Sequence, residues 1–194
     1  MSKEIMHNND IHILGKKIFL RSLRKKDASE NWWKWFNNDN VTRYMAKGAS
    51  KNTIAKQVKF FERITESEND LALAICDAKN GFHVGTTALH NIDWITGSAQ
   101  FGIIIGEEDY WGQGIGTEAW TLLTDFGFRK LKLKLIKTKI FKENSPSLKI
   151  AKKCGFKEIA LLQKDVSKNG GHFDRYLLEL TKIAWENVRD RRNS

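Results

Sequence analysis

The sequence predicts a mixed α/β domain of the α+β type, a central sheet of about seven strands with flanking helices and one parallel pair. Three observations carry this. Short apolar runs of strand length are interspersed with segments of helical periodicity. Their order is strand, two helices, three meandering strands, then helix, strand, helix, strand, strand. A glycine-rich turn joins the last meander strand to a helix, where a parallel crossover would form.

The elements follow in order. Residues 1 to about 14 are polar and mixed, and read as a loosely ordered extension over 1–15. "KIFLRSL" (Lys17 to Leu23) reads as a strand. "KKDASENWWKWFNND" reads as a helical segment, with Asp27 as a capping residue and Trp32, Trp33, Trp35 and Phe36 as apolar faces. Thr53 to Ser67 is an amphipathic helix, with Ile54, Val58, Phe61 and Ile64 at helical spacing. "LALAICD", "HVGTTALHNID" and "SAQFGIII" are strands, the last two separated by a turn at Thr96-Gly97. Then come a helix over Thr117 to Lys130, a strand over Leu135 to Phe141, a helix over Pro146 to Lys153 and a strand over Phe156 to Leu162. A hairpin around "SKNGGHFD" leads to the last strand, "DRYLLELTKI". The expected organisation is a single domain over 16–185 with a basic tail over 186–194.

Composition narrows the function classes. Hydrophobic residues make up 41% of the 194, enough for a packed core. Lys and Arg number 33 against 23 Asp and Glu, a net charge of +10. That excess is a solvated basic face or a preference for an anionic ligand. No zinc-finger, ribonucleoprotein or basic-zipper pattern accompanies it, so nucleic acid is not an expected partner. Cys76 and Cys154 show no pairing or metal-ligand spacing. No signal-peptide core or membrane-length apolar run is visible, so a cytoplasmic, metal-free protein is expected, monomeric or a homodimer.

The chemistry centres on "IIIGEEDYWGQGIGTEAW". Gly112, Gly114 and Gly116 stand at alternate positions between a strand and a helix. Glycines let backbone approach a ligand, and the free N–H groups of a first helical turn attract anions. A Walker loop would need Lys after Gly116, which is followed instead by Thr117. "GIGTEA" satisfies the dinucleotide fingerprint, but it lies past mid-chain with no repeated βαβ array before it. A coenzyme pyrophosphate is a third candidate, and a dinucleotide-dependent enzyme, which would bind NAD, stays open beside it.

At this point the chain resembles the GNAT acetyltransferases, in the branch of ribosomal-protein alanine and small-amine acetyltransferases. The family's Gln/Arg-x-x-Gly-x-Gly/Ala motif stands here as Trp111-Gly112-Gln113-Gly114-Ile115-Gly116, with Trp at the first position. Its second motif, Asn before a helix ending in Gly-Phe, stands as "NSPSLKIAKKCGF" from Asn144, with Ser145 and Pro146 read as N-cap and first-turn residues. The resemblance spans about Lys16 to Trp185. It implies the GNAT fold with a splayed parallel pair and acetyl-CoA as co-substrate. The loop Trp111, Gly112, Gln113, Gly114, Ile115, Gly116 and Thr117 would hold the pyrophosphate. Ile103, Ile104 and Ile105 would form a splayed, bulged strand pairing with the pantetheine arm and polarising the thioester carbonyl. Asn144 would meet the coenzyme near its pantetheine end.

Acetyl transfer needs a neutral amine, and hence a base. Relatives carry Glu where this chain has Gln100, and Tyr where it has Ala151. His90, in "ALHNIDW", is the substitute base or a structural histidine, with Asp93 nearby to orient it. Ser147 is the candidate acid at the leaving sulfur. Cys154 reads as a packing residue and His172 as a solvent-facing hairpin residue. On the acceptor side, Trp33 and Phe36 of the aromatic segment and Asp174 and Tyr176 of the terminal strands are expected to enclose the amine. The segment is also similar to aminosugar acetyltransferases of surface-polysaccharide pathways, pointing to a nucleotide-linked aminosugar or another small amine. A protein N-terminus is the alternative, and so is a silent CoA-binding module, which the missing Glu and Tyr keep open.

Overall fold

The computed structural model describes residues 11–46 and 51–193; residues 1–10 of the expected extension lie outside the described residues. The strands are β1 (His12–Leu14), β2 (Ile18–Ser22), β3 (Leu71–Asp77), β4 (His83–Asp93), β5 (Ser98–Ile105), β6 (Leu135–Phe141), β7 (Lys157–Lys168) and β8 (Gly171–Thr181). The helices are α1 (Lys25–Ser29), α2 (Trp32–Trp35), α3 (Asp39–Thr42), α4 (Ile54–Glu66), α5 (Ile115–Arg129), α6 (Ser145–Lys153) and α7 (Lys182–Asn193).

All eight strands form one sheet in the order β1-β2-β3-β4-β5-β6-β8-β7. Among the described strands only β5 and β6 are parallel, as the crossover through α5 requires. The strand beyond the expected seven is β1, which pairs antiparallel with β2 from His12↔Arg21 to Leu14↔Phe19. The segment read as a polar tail is the helix α7. Its Trp185 is buried, stacks on Phe128 with ring centroids 5.2 Å apart, and donates its indole N–H to Asp125. One large buried aromatic docks a stretch that is otherwise polar enough to read as a tail.

Two apolar clusters cover the two faces. On one, α5 lays Trp120 against Phe101 of β5, stacked at 4.3 Å, and against Phe156 at 5.6 Å. On the other, α1, α2 and α4 pack on β3 through Trp32, Trp35, Ile64 and Ala74. The aromatic segment is three short helices. Arg24 is the N-cap of α1, and Asp27 is its third residue, reaching back to accept from Arg24 N at 2.8 Å. The same buried carboxylate takes two hydrogen bonds from Arg21, at 2.7 and 2.8 Å. Burial opposes that charge, yet the Arg21 pairing and the Arg24 amide hold the Asp27 pKa below the usual range. His83 completes the cluster 3.8 Å from Asp27, edge-on to Trp35. Burial pushes its pKa down to about 4, outweighing the attraction of Asp27.

In α4, Thr53 Oγ1 accepts from Lys56 N at 3.2 Å, and Val58, Phe61 and Ile64 of the expected stripe face inward while Ile54 does not. Ile54 is 44% exposed, and Gln57 at 3% sits at the head of the inward face continued by Phe60, Phe61 and Ile64. In α6 the N-cap is Asn144 rather than Ser145: its side chain accepts from Ser147 N at 3.2 Å.

The parallel pair is short. β5 meets β6 only at Ser98↔Leu135, Ala99↔Ile136 and Gln100↔Lys137. Beyond Gln100 the strands diverge. On its other side β5 keeps unbroken register with β4, from His90↔Gln100 to Gly85↔Ile105. The bulge expected within Ile103 to Ile105 is therefore not in that ladder. The register shift falls between His90 and Asp93, where Asn91 has φ 49°.

Candidate active site

The glycine loop leaves β5 through a 3-10 turn, Glu108–Tyr110, and turns into α5. Gly112 and Gly114 have φ of +74° and +84°, a region that costs an L side chain roughly 1–2 kcal/mol. Among the described residues, no backbone N–H from Gly112 to Thr117 finds an acceptor in the chain. The first helical bond is Glu118 N to Gly114 O, at 3.0 Å. These amides converge at the positive end of a 15-residue helix. Lys17 Nζ donates to Gln113 O at 2.7 Å, bringing a cation to the same rim. Trp111 turns the other way, and its indole N–H closes on Ile105 O at 2.9 Å. Unpartnered amides, positive-φ glycines and a helix N-terminus fit a pyrophosphate.

Where β5 leaves β6, the β6-facing edge of Ile103 to Ile105 has no strand partner. Thr138 Oγ1 fills the first step by donating to Phe101 O at 3.1 Å. Ile103 and Ile105 pack toward α5, and Ile104 toward the α2–α4 side. Across the splay stands the first turn of α6, carrying Asn144 and the half-buried Ser147.

On the α2–α4 side the splay opens into a cavity of about 1880 Å³. Its floor is β3 to β5, from Ala72 through Thr86 and Ala88 to Gly102 and Ile104. One wall is Trp32, Phe36, Gln57 and Phe60; the other is Phe141, Lys168 and Phe173. Tyr44, Phe141 and Phe173 make a continuous aromatic edge, with centroid separations of 6.1 and 5.8 Å.

His90 stands at the end of this floor. Its ring lies over Gly102, where a Cβ would sit 3.6 Å from Nε2. Nδ1 is 2.9 Å from Asp70 Oδ1. Asp70 also accepts from Ser67 Oγ at 2.7 Å and Asn91 N at 3.3 Å. Partial burial opposes the charge of Asp70, but the Ser67 and His90 hydrogen bonds keep its pKa below the usual range. An ionised carboxylate only accepts, so Nδ1 carries the hydrogen and Nε2 of the neutral ring presents a lone pair to the cavity.

A family model for the acetyltransferase (GNAT) domain matches residues 17–157. The chain belongs to the GNAT family. The GNAT chain is 29% identical over 174 residues to an uncharacterized N-acetyltransferase, p20, of Bacillus licheniformis, covering 86% of this chain and 94% of that one. The spermidine N-acetyltransferase of Vibrio cholerae, solved with CoA and spermine, superposes with a TM-score of 0.82 at 22% identity, over 89% of this chain and all of that one. RimJ of Mycobacterium smegmatis, solved with CoA-disulfide, gives 0.78 at 21%, over 90% and 88%.

Within this GNAT chain, the residues expected from sequence separate into groups. Phe36 lines the cavity; Trp33 does not, and its neighbour Trp32 takes that place. Strand alternation puts Phe173 in the cavity and Asp174 on the opposite face of β8. There Asp174 accepts from Lys164 N at 3.0 Å, with Lys142 Nζ 3.9 Å away. Tyr176 packs on the α5–α6 cluster. Neither joins Phe36 at the acceptor wall. Asp93 does not orient His90; it holds the turn, accepting from Ile95 N and Thr96 N at 2.9 and 3.0 Å. Gln100 is exposed, and Ala151 is fully buried against the sheet. Cys154 is buried at the end of α6, and His172 bonds Ser167 Oγ at 3.0 Å in the hairpin. Sequence reasoning missed Asp70, one polar residue before a strand with no local pattern to mark it. It also passed over Gln57, which carried a signal: an amide at i+3 from Ile54 inside an apolar stripe. Among the described residues no metal-binding cluster is assembled, and no helix is long and apolar enough to cross a membrane.

Proposed function

We propose that the chain transfers an acetyl group from acetyl-CoA to a primary amine, with a free or nucleotide-linked aminosugar as acceptor. The observation that carries this reading is His90 Nε2 presented over Gly102, one residue from the unpaired edge of β5. The coenzyme, when bound, supplies the acetyl group as an activated thioester. The amides of Gly112 to Thr117 are assigned the pyrophosphate, the β5 edge at Ile103 to Ile105 its extended arm, and Asn144 the end of that arm.

An amine of ordinary pKa is protonated at neutral pH and cannot act as a nucleophile. His90 Nε2 takes its proton, and Asp70 holds the ring in the required tautomer and offsets the charge of the imidazolium. A backbone N–H of the β5 edge polarises the acetyl carbonyl. Ser147 Oγ offers a proton on the leaving side. Gln100 and Ala151 have no part in proton transfer. The cavity exceeds the roughly 300–1,000 Å³ of an ordinary small-ligand site, which suits an acceptor with a large appended group.

Thermal shift with acetyl-CoA, followed by CoA-thiol release across a panel of sugar amines, polyamines and peptide N-termini, tests the reading. Acetyl-CoA should stabilise the fold, and a sugar amine should be turned over. Stabilisation with no turnover of any amine would leave a CoA-binding module. Turnover confined to peptides would move the acceptor to a protein N-terminus. No stabilisation would remove the coenzyme assignment.

A further inference from the structure

The acceptor cavity holds a set of buried polar atoms that its protein neighbours leave unmatched. Trp32 Nε1, Gln57 Nε2 and Thr86 Oγ1 have no hydrogen-bond partner in the chain. Their residues are 1%, 3% and 8% exposed, and all three line the cavity. Buried polar groups without partners are costly, and among the described residues three of the six such side-chain atoms belong to residues lining this one cavity.

The hydrogen-bond network settles what Gln57 offers. Trp33 O accepts from Asn52 Nδ2 at 3.2 Å, so that atom of Asn52 must be the amide nitrogen. The same nitrogen lies 2.8 Å from Gln57 Oε1, which must therefore be the carbonyl oxygen. Gln57 Nε2 is left as a buried donor without a partner, on a residue that lines the cavity. Trp32 Nε1 can only donate. Two fixed donors and one hydroxyl suit a ligand group rich in lone pairs and poor in hydrogens.

The charge around the cavity has the matching sign. Among the described residues, Arg43, Lys51, Lys56 and Lys168 line it, against Asp39 and Glu143. Lys168 Nζ donates to Thr42 O and Arg43 O, at 2.8 and 3.0 Å, tying the β7–β8 hairpin to the end of α3. A polyamine would meet like charge here and leave the floor donors unmatched.

We infer that the acceptor is a primary amine bearing an anionic, oxygen-rich group, a phosphate or a carboxylate, seated on Gln57 and Trp32 beneath the basic rim. This rests on the acetyltransferase reading above and narrows its substrate class. It also separates the chain from the Vibrio cholerae protein, whose complex holds spermine.

Glucosamine, glucosamine 6-phosphate, muramic acid and spermidine form a matched probe set. At low salt, kcat/KM for one of the two anionic amines should exceed that for glucosamine by about tenfold or more, with the advantage shrinking as salt rises. The phosphate and carboxylate arms show which anion is meant. Gln57→Leu should raise KM for the favoured anionic amine by about 10–100-fold. It should leave the KM of acetyl-CoA unchanged and move Tm little, because the lost hydrogen bond from Asn52 Nδ2 is offset by removal of the unmatched amide nitrogen. Arg43→Gln should raise the same KM and flatten its salt dependence. Spermidine preferred over both anionic amines, or a wild-type KM in Gln57→Leu, overturns the inference. Should no amine be acetylated, the acetyltransferase reading is what fails. Calorimetric binding of glucosamine 6-phosphate and muramic acid to the wild-type and Gln57→Leu proteins then still decides the site: binding weakened by the variant upholds it, and no binding overturns it.

Discussion

The two ends of the splay between β5 and β6 are made of different atoms. The glycine loop offers main-chain amides from one contiguous stretch, Gly112 to Thr117, at the mouth of α5. The acceptor cavity offers side chains from Trp32, Gln57, His90 and Phe173, which are far apart in sequence. Backbone amides bind any ligand of suitable geometry, because they are the same in every protein with that turn. Side chains select. On the proposed reading, the first region sets which coenzyme class enters, and the second sets which amine meets it. Substitutions should therefore uncouple the two ends, changing the constant for one substrate and leaving the other.

The largest effect tests the acceptor end. His90→Ala should lower kcat at neutral pH by about 10²–10⁴-fold with the affinity for CoA unchanged. The loss should shrink at high pH, where the amine deprotonates unaided. Asp70→Asn, which keeps the size but not the charge, should lower kcat by less and move the lower limb of the pH–rate profile. Wild-type rates in both variants would make the pair structural and erase the division of labour.

A second prediction concerns the support of the acceptor wall. His83 lies beneath Trp35 with a pKa of about 4, against 6.5 in an unfolded chain. Between those values the unfolded state binds the extra proton, so stability falls as pH falls from about 6.5 to about 4, by roughly 3 kcal/mol. Below pH 4 His83 contributes no further loss. Urea titrations should show this slope, and His83→Gln should flatten it. An equal slope in the variant would locate the acid sensitivity elsewhere.

The coenzyme end is tested by Gly114→Val, which forces a β-branched side chain into φ +84° beside Lys17 Nζ. Losing two charge-assisted hydrogen bonds of about 1.5 kcal/mol each would weaken CoA binding roughly 100-fold. Binding of the acceptor amine in the absence of CoA should be unaltered. Unchanged CoA affinity in a folded variant would sink the loop assignment. The smallest effect belongs to Asp174→Asn. Its carboxylate serves Lys164 N and Lys142 on the face away from the cavity, so stability should change by under about 1 kcal/mol and acceptor KM should not move. A raised acceptor KM would show that the cavity extends around β8.

By itself, the sequence determined what depends on neighbours along the chain. The apolar runs of β3 to β6 and the periodicity of α5 are local, so the succession of elements along the chain and the parallel pair were legible. The alternate glycines are local too, because an anion cradle is a few consecutive amides and a helix end. Tertiary structure alone decided what depends on contacts across the sheet. Trp185 turned a polar tail into a docked helix by burying one ring against Phe128. Gln57, and not Ile54, begins the buried face of α4, where its Oε1 takes a hydrogen bond from Asn52. Asp70, not Asp93, came to hold His90, since β3 and β4 lie side by side and the turn at Asp93 uses its carboxylate for its own amides. Strand alternation sent Phe173, and not Asp174, into the cavity. A backbone cradle is written in consecutive residues, whereas a side-chain pocket exists only after distant segments have packed, and that physical difference is why the glycine loop could be read from sequence and the lining of the cavity could not.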